Sequence, residues 1–153
     1  MKLTQMMVAK GFGGAERYFV DLSLALADLG HQVQVICHDQ FAGRRLFENR
    51  TDMNIHAFRV RGWWDIWARK NIEKAVIAFV PEVIHAHLAR GACLAGRISA
   101  STGIPLVVKT HNYVNLKYYK HVAMFLPTTI DQKKYLEENG IDPGMIRVIP
   151  NFS

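Results

Sequence analysis

Three glycines followed by an acid and a base stand near the start of the chain, in the segment GFGGAER at residues 11–17. When such a loop opens a helix, its free backbone N–H groups and the positive end of the helix dipole bind anions such as phosphate. Arg17, one turn into the expected helix, could add a bidentate contact. The segment therefore predicts a phosphate site. The alternatives are a tight turn without a ligand and a solvated Arg17.

The same segment departs from the dinucleotide-binding fingerprint G-x-G-x-x-G. Gly11 and Gly13 fit that pattern, but its third glycine position is occupied by Glu16. The apolar run QVQVIC that follows does not end in an acidic residue, and Asp39 comes two positions too late. Since the third glycine and the acid are the parts that hold a dinucleotide, the pattern disfavours a nicotinamide site.

Two histidines alternate in the apolar run VIHAH, which places His85 and His87 on one face of a strand. His87 lies nearer the carboxyl end of that strand and is predicted to line a cleft, whereas His85 is predicted to be a core residue. Two histidines at this spacing could bind a metal, but no third ligand follows at a suitable spacing.

Tryptophans and cations are interleaved in RVRGWWDIWARK. Trp63, Trp64 and Arg61 suit contact with lipid headgroups or stacking against a sugar acceptor. Lys117, in NLKYYKH, raises the same possibility. The alternative is that the tryptophans pack under a loop while the bases stay in water.

These residues must be positioned by regular elements, and apolar runs alternate with helical patterns along the whole chain. The runs read as strands are LTQMMVA, QVQVIC, NIHAFRV, EVIHAHL, PLVVKTH, HVAMFLP and MIRVIP. This alternation predicts an α/β, Rossmann-like three-layer fold: a mostly parallel sheet of about seven strands with helices on both faces. Ligands bind such sheets beyond the carboxyl ends of the strands, where the segments above all fall.

Composition limits the class of partner. The chain has 153 residues, enough for one domain, and a formal charge of +6, which favours an anionic partner. No run of lysine or arginine exceeds two residues, so a phosphorylated small molecule or lipid is preferred over nucleic acid. The N-terminus lacks a signal-peptide pattern, and no apolar stretch approaches the roughly 20 residues of a membrane span. We expect a cytoplasmic protein that can touch the inner face of the membrane.

Four segments together resemble the N-terminal domain of family 4 glycosyltransferases, which have the GT-B fold. They are GFGGAER, GHQVQVI, VIHAHLARGACLAGRISASTGIPLVVKTHN and IRVIPNFS, and the resemblance covers essentially all of the chain. It implies two Rossmann-like domains that face each other across a cleft. Residues 1–149 would form the acceptor-binding domain, and residues 150–153 would begin the linker to a C-terminal donor-binding domain outside this sequence.

The resemblance also implies roles for individual residues. His111, in KTHN, matches a histidine that faces the transferred sugar and the acceptor, and a histidine suits that position because it can donate to an oxygen near neutral pH. We therefore predict that His111 is catalytic. The residues predicted to bind substrate are Gly13, Gly14, Ala15, Glu16, Arg17, His87 and Asn112.

The function implied is transfer of a sugar, with retention of configuration, from a nucleotide-diphosphate sugar to a saccharide or lipid-linked acceptor in surface polysaccharide or lipopolysaccharide synthesis. The resemblance implies neither a cofactor nor a metal, and the chain alone is expected to be inactive without the donor-binding domain. One alternative is a non-catalytic module that binds a phosphosugar or a lipid. Another is a Rossmann oxidoreductase, which would bind NAD(P).

Overall fold

The computed structural model describes residues 1–152 and shows a single parallel sheet of six strands. The strands are β1 (Lys2–Met7), β2 (Gln32–His38), β3 (Asn54–Phe58), β4 (Val83–His87), β5 (Leu106–Thr110) and β6 (Met124–Pro127). Their order in the sheet is β3-β2-β1-β4-β5-β6, and every neighbouring pair is parallel. Ser153, the last residue of the predicted linker, lies outside the described residues.

Four helices cover the two faces of this sheet. They are α1 (Gly14–Asp28), α2 (Ile66–Phe79), α3 (Leu88–Thr102) and α4 (Ile130–Glu138). The apolar side chains of α1 pack on one face, and those of α2, α3 and α4 pack on the other. The predicted Rossmann-like three-layer architecture is therefore confirmed.

The segment MIRVIP does not form the predicted seventh strand. Pro143–Met145 is a 3-10 turn, and Ile146 forms only an isolated bridge with Phe125 of β6. The N–H groups of Arg147 and Ile149 donate to the carbonyls of Phe125 and Pro127 in β6, but Pro127 has no N–H with which to return the pairing. The sheet consequently has six strands rather than about seven.

The chain changes direction in the middle of the sheet. From β1 the chain passes through α1 to β2 on one side, and from β4 it passes through α3 to β5 on the other side. The connections therefore diverge between β1 and β4, which are neighbours. In open parallel sheets a crevice forms outside the carboxyl ends of the strands at such a switch point, and ligands bind in it.

Strands β1 and β2 are buried on both faces, as the continuous apolar runs predict, whereas the edge strand β3 is partly exposed. Alternate residues supply the two cores: Met6, Ile84 and Val108 face α2 and α3, whereas Met7 and Val35 face α1. Polar side chains interrupt both faces, and the positions of those side chains define the site described next.

Candidate functional site

The structure brings most of the predicted site residues to the carboxyl end of the sheet. The glycine loop follows β1, His87 ends β4, and His111 follows β5. Tyr18 of α1 joins these segments, because its ring lies 6.1 Å from the His87 ring and 5.3 Å from the His111 ring, between centroids. Residues that are distant in sequence thus form one cluster beside the switch point between β1 and β4.

A chain of hydrogen bonds runs through the buried histidines. The Nε2 atom of His87 lies 2.8 Å from Oε1 of Gln5, and its Nδ1 atom lies 3.5 Å from Nε2 of His111. On the other side of Gln5, the Nε2 amide lies 3.2 Å from Nδ1 of His85. Gln5 of β1 therefore connects the three histidines, and we call Gln5, His85, His87, Lys109 and His111 the histidine cluster.

The amide of Gln5 fixes the tautomers in this chain. Because Gln5 Oε1 accepts a hydrogen bond, Nε2 of His87 carries the proton and Nδ1 of His87 is an acceptor. His111 then donates from Nε2 to His87, which leaves a lone pair on Nδ1 of His111. That Nδ1 atom is buried and has no hydrogen-bond partner within residues 1–152. An unpaired atom of this kind can accept a hydrogen bond from a ligand.

Burial keeps the histidines of the cluster neutral. It lowers the pKa of His111 to about 4, with a further contribution from the positive charge of Lys109. It lowers the pKa of His85 to about 3 and that of His87 well below its ordinary value. At neutral pH the three histidine rings of the cluster are therefore neutral, beside the positive charge of Lys109.

His87 is completely buried, at 0% exposure, and both of its ring nitrogens are engaged. Its direct contact is with His111 and Gln5, so its predicted contact with substrate stays a prediction. His85 is only partly buried and lines a cavity beside Tyr18, and its buried Nε2 atom has no partner among the described residues, so it is not the satisfied core residue that was expected. His111 and Asn112 both line a cavity of about 270 Å³.

Lys109 and Gln5 belong to the cluster but were not singled out from the sequence. Lys109 is 1% exposed, its Nζ donates to the carbonyl of Ile149, and it lies 5.2 Å from the centre of the Tyr18 ring. Burial lowers the pKa of Lys109 to about 8. The signal that could have found both residues is a polar side chain inside an otherwise apolar strand, in LTQMM and LVVKT.

The glycine loop is partly occupied by its own side chains. The N–H of Gly13 donates to Oε2 of Glu16 at 3.1 Å. The first intrahelical bond runs from the Arg17 N–H to the Gly13 carbonyl, so the N–H groups of Gly14, Ala15 and Glu16 precede it and remain available to an anion. Arg17 itself is exposed and pairs with Asp21 on its own helix at 3.1 Å. Glu16 thus binds the loop internally, and Arg17 points along the surface.

The tryptophan segment lies on the surface. Trp63, Trp64 and Trp67 are 49%, 56% and 78% exposed, so the alternative in which they pack under a loop is wrong. Asp65 accepts the N–H of Ala68 and begins α2, which places Trp63 and Trp64 in the preceding turn. Trp63 and Lys117, predicted separately from the sequence, line one cavity of about 400 Å³. Arg61 is exposed in the same loop.

Two further observations concern metals and membranes. Among the residues that the structure describes, no three His, Cys, Asp or Glu side chains converge in a way that could hold a metal ion. The prediction that the enzyme works without a metal stays a prediction. None of the helices within residues 1–152 is long and apolar enough to cross a membrane.

Several solved structures share this fold. Anabaena HepE in complex with UDP-glucose matches with a TM-score of 0.81 and 14% identity, over 100% of this chain and 44% of that chain. The apo form of the lipopolysaccharide outer core galactosyltransferase WaaB matches with a TM-score of 0.71 and 15% identity, over 100% of this chain and 46% of that chain. A glycosyltransferase from Rickettsia africae matches with a TM-score of 0.76 and 19% identity, over 97% of this chain and 42% of that chain. The chain therefore spans less than half the length of these structures.

Sequence comparison identifies the family. No curated protein matches the chain. The family profile of Glycosyltransferase Family 4 matches residues 12–152, from the glycine loop to the end of the described region. Since this match covers nearly the whole chain and the fold is that of one half of a GT-B enzyme, the chain belongs to Glycosyltransferase Family 4.

Proposed function

We propose that this chain is the acceptor-binding half of a retaining glycosyltransferase that moves a sugar from a nucleotide-diphosphate sugar to a saccharide or lipid-linked acceptor. The observation that carries the proposal is the unpaired Nδ1 atom of His111, held beside the switch point of the sheet by the histidine cluster. The fold likeness to HepE, whose complexes contain UDP and UDP-glucose, supports a nucleotide sugar as the donor.

The arrangement suggests how the site would work. A hydroxyl of the sugar or acceptor donates to Nδ1 of His111, which is free to accept it because the Nε2–H of His111 donates to Nδ1 of His87. The departing diphosphate meets the N–H groups of Gly14 and Ala15 at the positive end of α1. The N–H of Gly13 contributes only if Glu16 turns away from it. Asn112, in the same cavity as His111, is placed to bind a sugar hydroxyl.

In this proposal residues 1–149 bind the acceptor, and residues 150–153 lead to a donor-binding domain of the same protein. The acceptor belongs to surface polysaccharide or lipopolysaccharide synthesis, which the likeness to WaaB supports. The enzyme needs no metal or cofactor and works in the cytoplasm. The chain by itself lacks the donor-binding residues and is therefore inactive.

The catalytic part of the proposal is tested by His111→Ala in the full-length protein. We expect turnover with a panel of nucleotide sugars to fall by about 10²–10⁴, the usual contribution of a positioned proton-transfer or hydrogen-bonding group. Donor affinity should stay near that of the parent protein. His31→Ala, at the amino end of the sheet, is the matched control. Turnover like that of the parent in His111→Ala would remove His111 from the mechanism, and failure to use any nucleotide sugar would remove the transferase function.

We also propose that the tryptophan segment brings the protein to the inner face of the membrane. Trp63 and Trp64 are exposed, and Arg61 and Lys117 supply positive charge nearby, which is the pairing that binds anionic headgroups. Trp63→Ser with Trp64→Ser should weaken binding to vesicles that contain phosphatidylglycerol by about tenfold, measured by co-sedimentation. The exposed Ile77→Ser on α2 is the control. Equal binding by both variants would contradict the membrane contact.

A further inference from the structure

A third cavity opens at the carboxyl ends of the first four strands. Its volume is about 670 Å³. It is lined by residues that follow β1 (Val8, Ala9, Lys10), end or follow β2 (His38, Gln40), follow β3 (Arg59, Val60, Arg61) and follow β4 (Leu88, Arg90). We call it the arginine cavity. Four separate segments of the chain therefore converge on it, which is the arrangement expected of a binding site at a switch point.

Four exposed cations line the arginine cavity, namely Lys10, Arg59, Arg61 and Arg90, and no carboxylate lines it. One acid lies close: Asp39 has an Oδ2 atom 3.7 Å from Nε of Arg59. Across residues 1–152, no carboxylate oxygen lies within 4.0 Å of the side-chain nitrogens of Lys10, Arg61 or Arg90. The cavity thus concentrates positive charge that the protein does not neutralise, and such a field attracts an anion.

A second acid, Asp65, does not change this excess of positive charge in the cavity. The carboxylate of Asp65 accepts the backbone N–H groups of Arg61 and Ala68, so it is used to begin α2. His38 is also fixed: its Nδ1 atom accepts the N–H of Gln40, and its Nε2 atom lies 3.2 Å from the carbonyl of Val60. The groups free to meet a ligand are therefore the side chains of Lys10, Arg61 and Arg90, with Arg59 shared with Asp39.

The arginine cavity adjoins the cavity that contains His111. Leu88 lines both, and it is held in a left-handed backbone conformation, with φ of 64°, that leucine rarely adopts. Such strain persists where the surrounding structure imposes it, often at ligand sites. One molecule that crosses Leu88 would place one end among the cations and the other at His111.

From this placement we infer that the acceptor carries an anionic group, a phosphate or a carboxylate, which binds in the arginine cavity while the reacting hydroxyl lies at His111. This inference rests on the proposed function. The diphosphate of the donor is the other source of an anion, but under that function it is expected at the N–H groups that open α1. Arginine suits the role because its planar fork binds phosphate and carboxylate oxygens in pairs.

The experiment compares Lys10→Gln with Arg90→Gln, combined in the full-length protein, against Arg45→Gln with Lys134→Gln. All four side chains are exposed, and the control pair removes the same charge outside the cavity. The probes are glucose 6-phosphate, glucuronic acid, neutral glucose and UDP, with affinities measured by calorimetry. Thermal unfolding of both variants checks that the fold is kept.

We expect the parent and the control to prefer at least one charged sugar over glucose by about tenfold or more, and the cavity variant to lose that preference while keeping its affinity for UDP. Glucose 6-phosphate and glucuronic acid then show whether the group is a phosphate or a carboxylate. Equal affinity for charged and neutral sugars in the parent overturns the inference. A parallel loss of UDP affinity in the cavity variant also overturns it, because the cations would then hold the donor. Failure of the proposed function looks different: no nucleotide sugar is turned over, although the preference for a charged sugar remains.

Discussion

Two buried polar clusters lie on opposite faces of the same sheet, and they differ in how completely their hydrogen bonds are satisfied. On the face of α2, Gln34 accepts from Thr4 and donates to Asn54 and to the carbonyl of Ala75 in α2. On the face of α1, the histidine cluster leaves Nε2 of His85 and Nδ1 of His111 without partners in the described part of the chain. The first cluster, which we call the Gln34 cluster, ties a helix to the sheet, and the second keeps atoms free for a ligand.

The difference teaches which buried polar residues are structural. Thr4 and Gln5 are neighbours in β1, and both are fully buried, yet their side chains enter opposite clusters because successive residues of a strand face opposite ways. A closed network rigidifies the fold, whereas an open one bears a cost that function can explain. The two clusters therefore predict different responses to pH and to mutation.

The largest effect should come from acid, and between about pH 6.5 and pH 4 it should act mainly through the histidine rings of the histidine cluster. The pKa of His111 is lowered to about 4 and that of His85 to about 3, so between these values and about 6.5 the unfolded chain binds protons that the folded chain excludes. The free energy of unfolding should have its full value above about pH 6.5. Below that pH it should fall by more than about 1 kcal/mol per pH unit.

Urea unfolding measured from pH 7 to pH 4 checks this prediction. His111→Asn should reduce the slope, because one of the groups that titrate is gone, while the exposed His121→Asn should not. A slope identical in all three proteins would contradict the assignment of acid sensitivity to the cluster. The Gln34 cluster contains no titratable side chain and should contribute nothing.

The next effect is expected from a mutation in the Gln34 cluster, which should lower the stability of the protein and leave its activity nearly unchanged. Gln34→Leu leaves Thr4, Asn54 and the carbonyl of Ala75 without their partner, and we expect the free energy of unfolding to fall by about 1–3 kcal/mol. Turnover of the full-length enzyme, assayed well below its unfolding transition, should change less than about twofold, because this face does not border the site. A large loss of turnover would break the distinction between the clusters.

The smallest effect in free energy, but the most informative, is expected from Gln5→Leu. The change removes the acceptor that fixes the tautomer of His87 and, through it, the lone pair on Nδ1 of His111. Turnover should fall about tenfold, which corresponds to about 1.4 kcal/mol. Gln5→Glu keeps the acceptor for His87 and should recover part of that turnover. Equal turnover in Gln5→Leu and the parent would show that the tautomer of His111 does not depend on Gln5.

The sequence allowed much of the scaffold to be predicted. Continuous apolar runs separated by helical patterns specified six of the strands, and their order in the chain placed GFGGAER, His87 and His111 at one end of a parallel sheet. The prediction of a seventh strand was wrong. MIRVIP has the residue types of a strand, but continuous pairing with β6 requires an N–H that Pro127 of β6 cannot supply.

The site was predicted less completely. From the sequence, the glycine loop was interpreted as a row of free backbone N–H groups. No sequence pattern shows that the carboxylate of Glu16 accepts the N–H of Gly13. Gln5 and Lys109 were passed over, although a buried polar residue in an apolar strand always needs a partner. The arginine cavity was also missed, since Lys10, Arg59, Arg61 and Arg90 follow four different strands.

By itself, the sequence determined the alternation of elements, the end of the sheet at which ligands bind, and the family, because these depend on local patterns and on motif order. The tertiary structure alone decided which polar atoms meet. Gln5 and His87 are 82 residues apart, and His111 and His87 are 24 apart, yet hydrogen bonds join all three. Such partners, and the burial that lowers the pKa of His111, arise only when parallel strands pair in register, and no local pattern records that register.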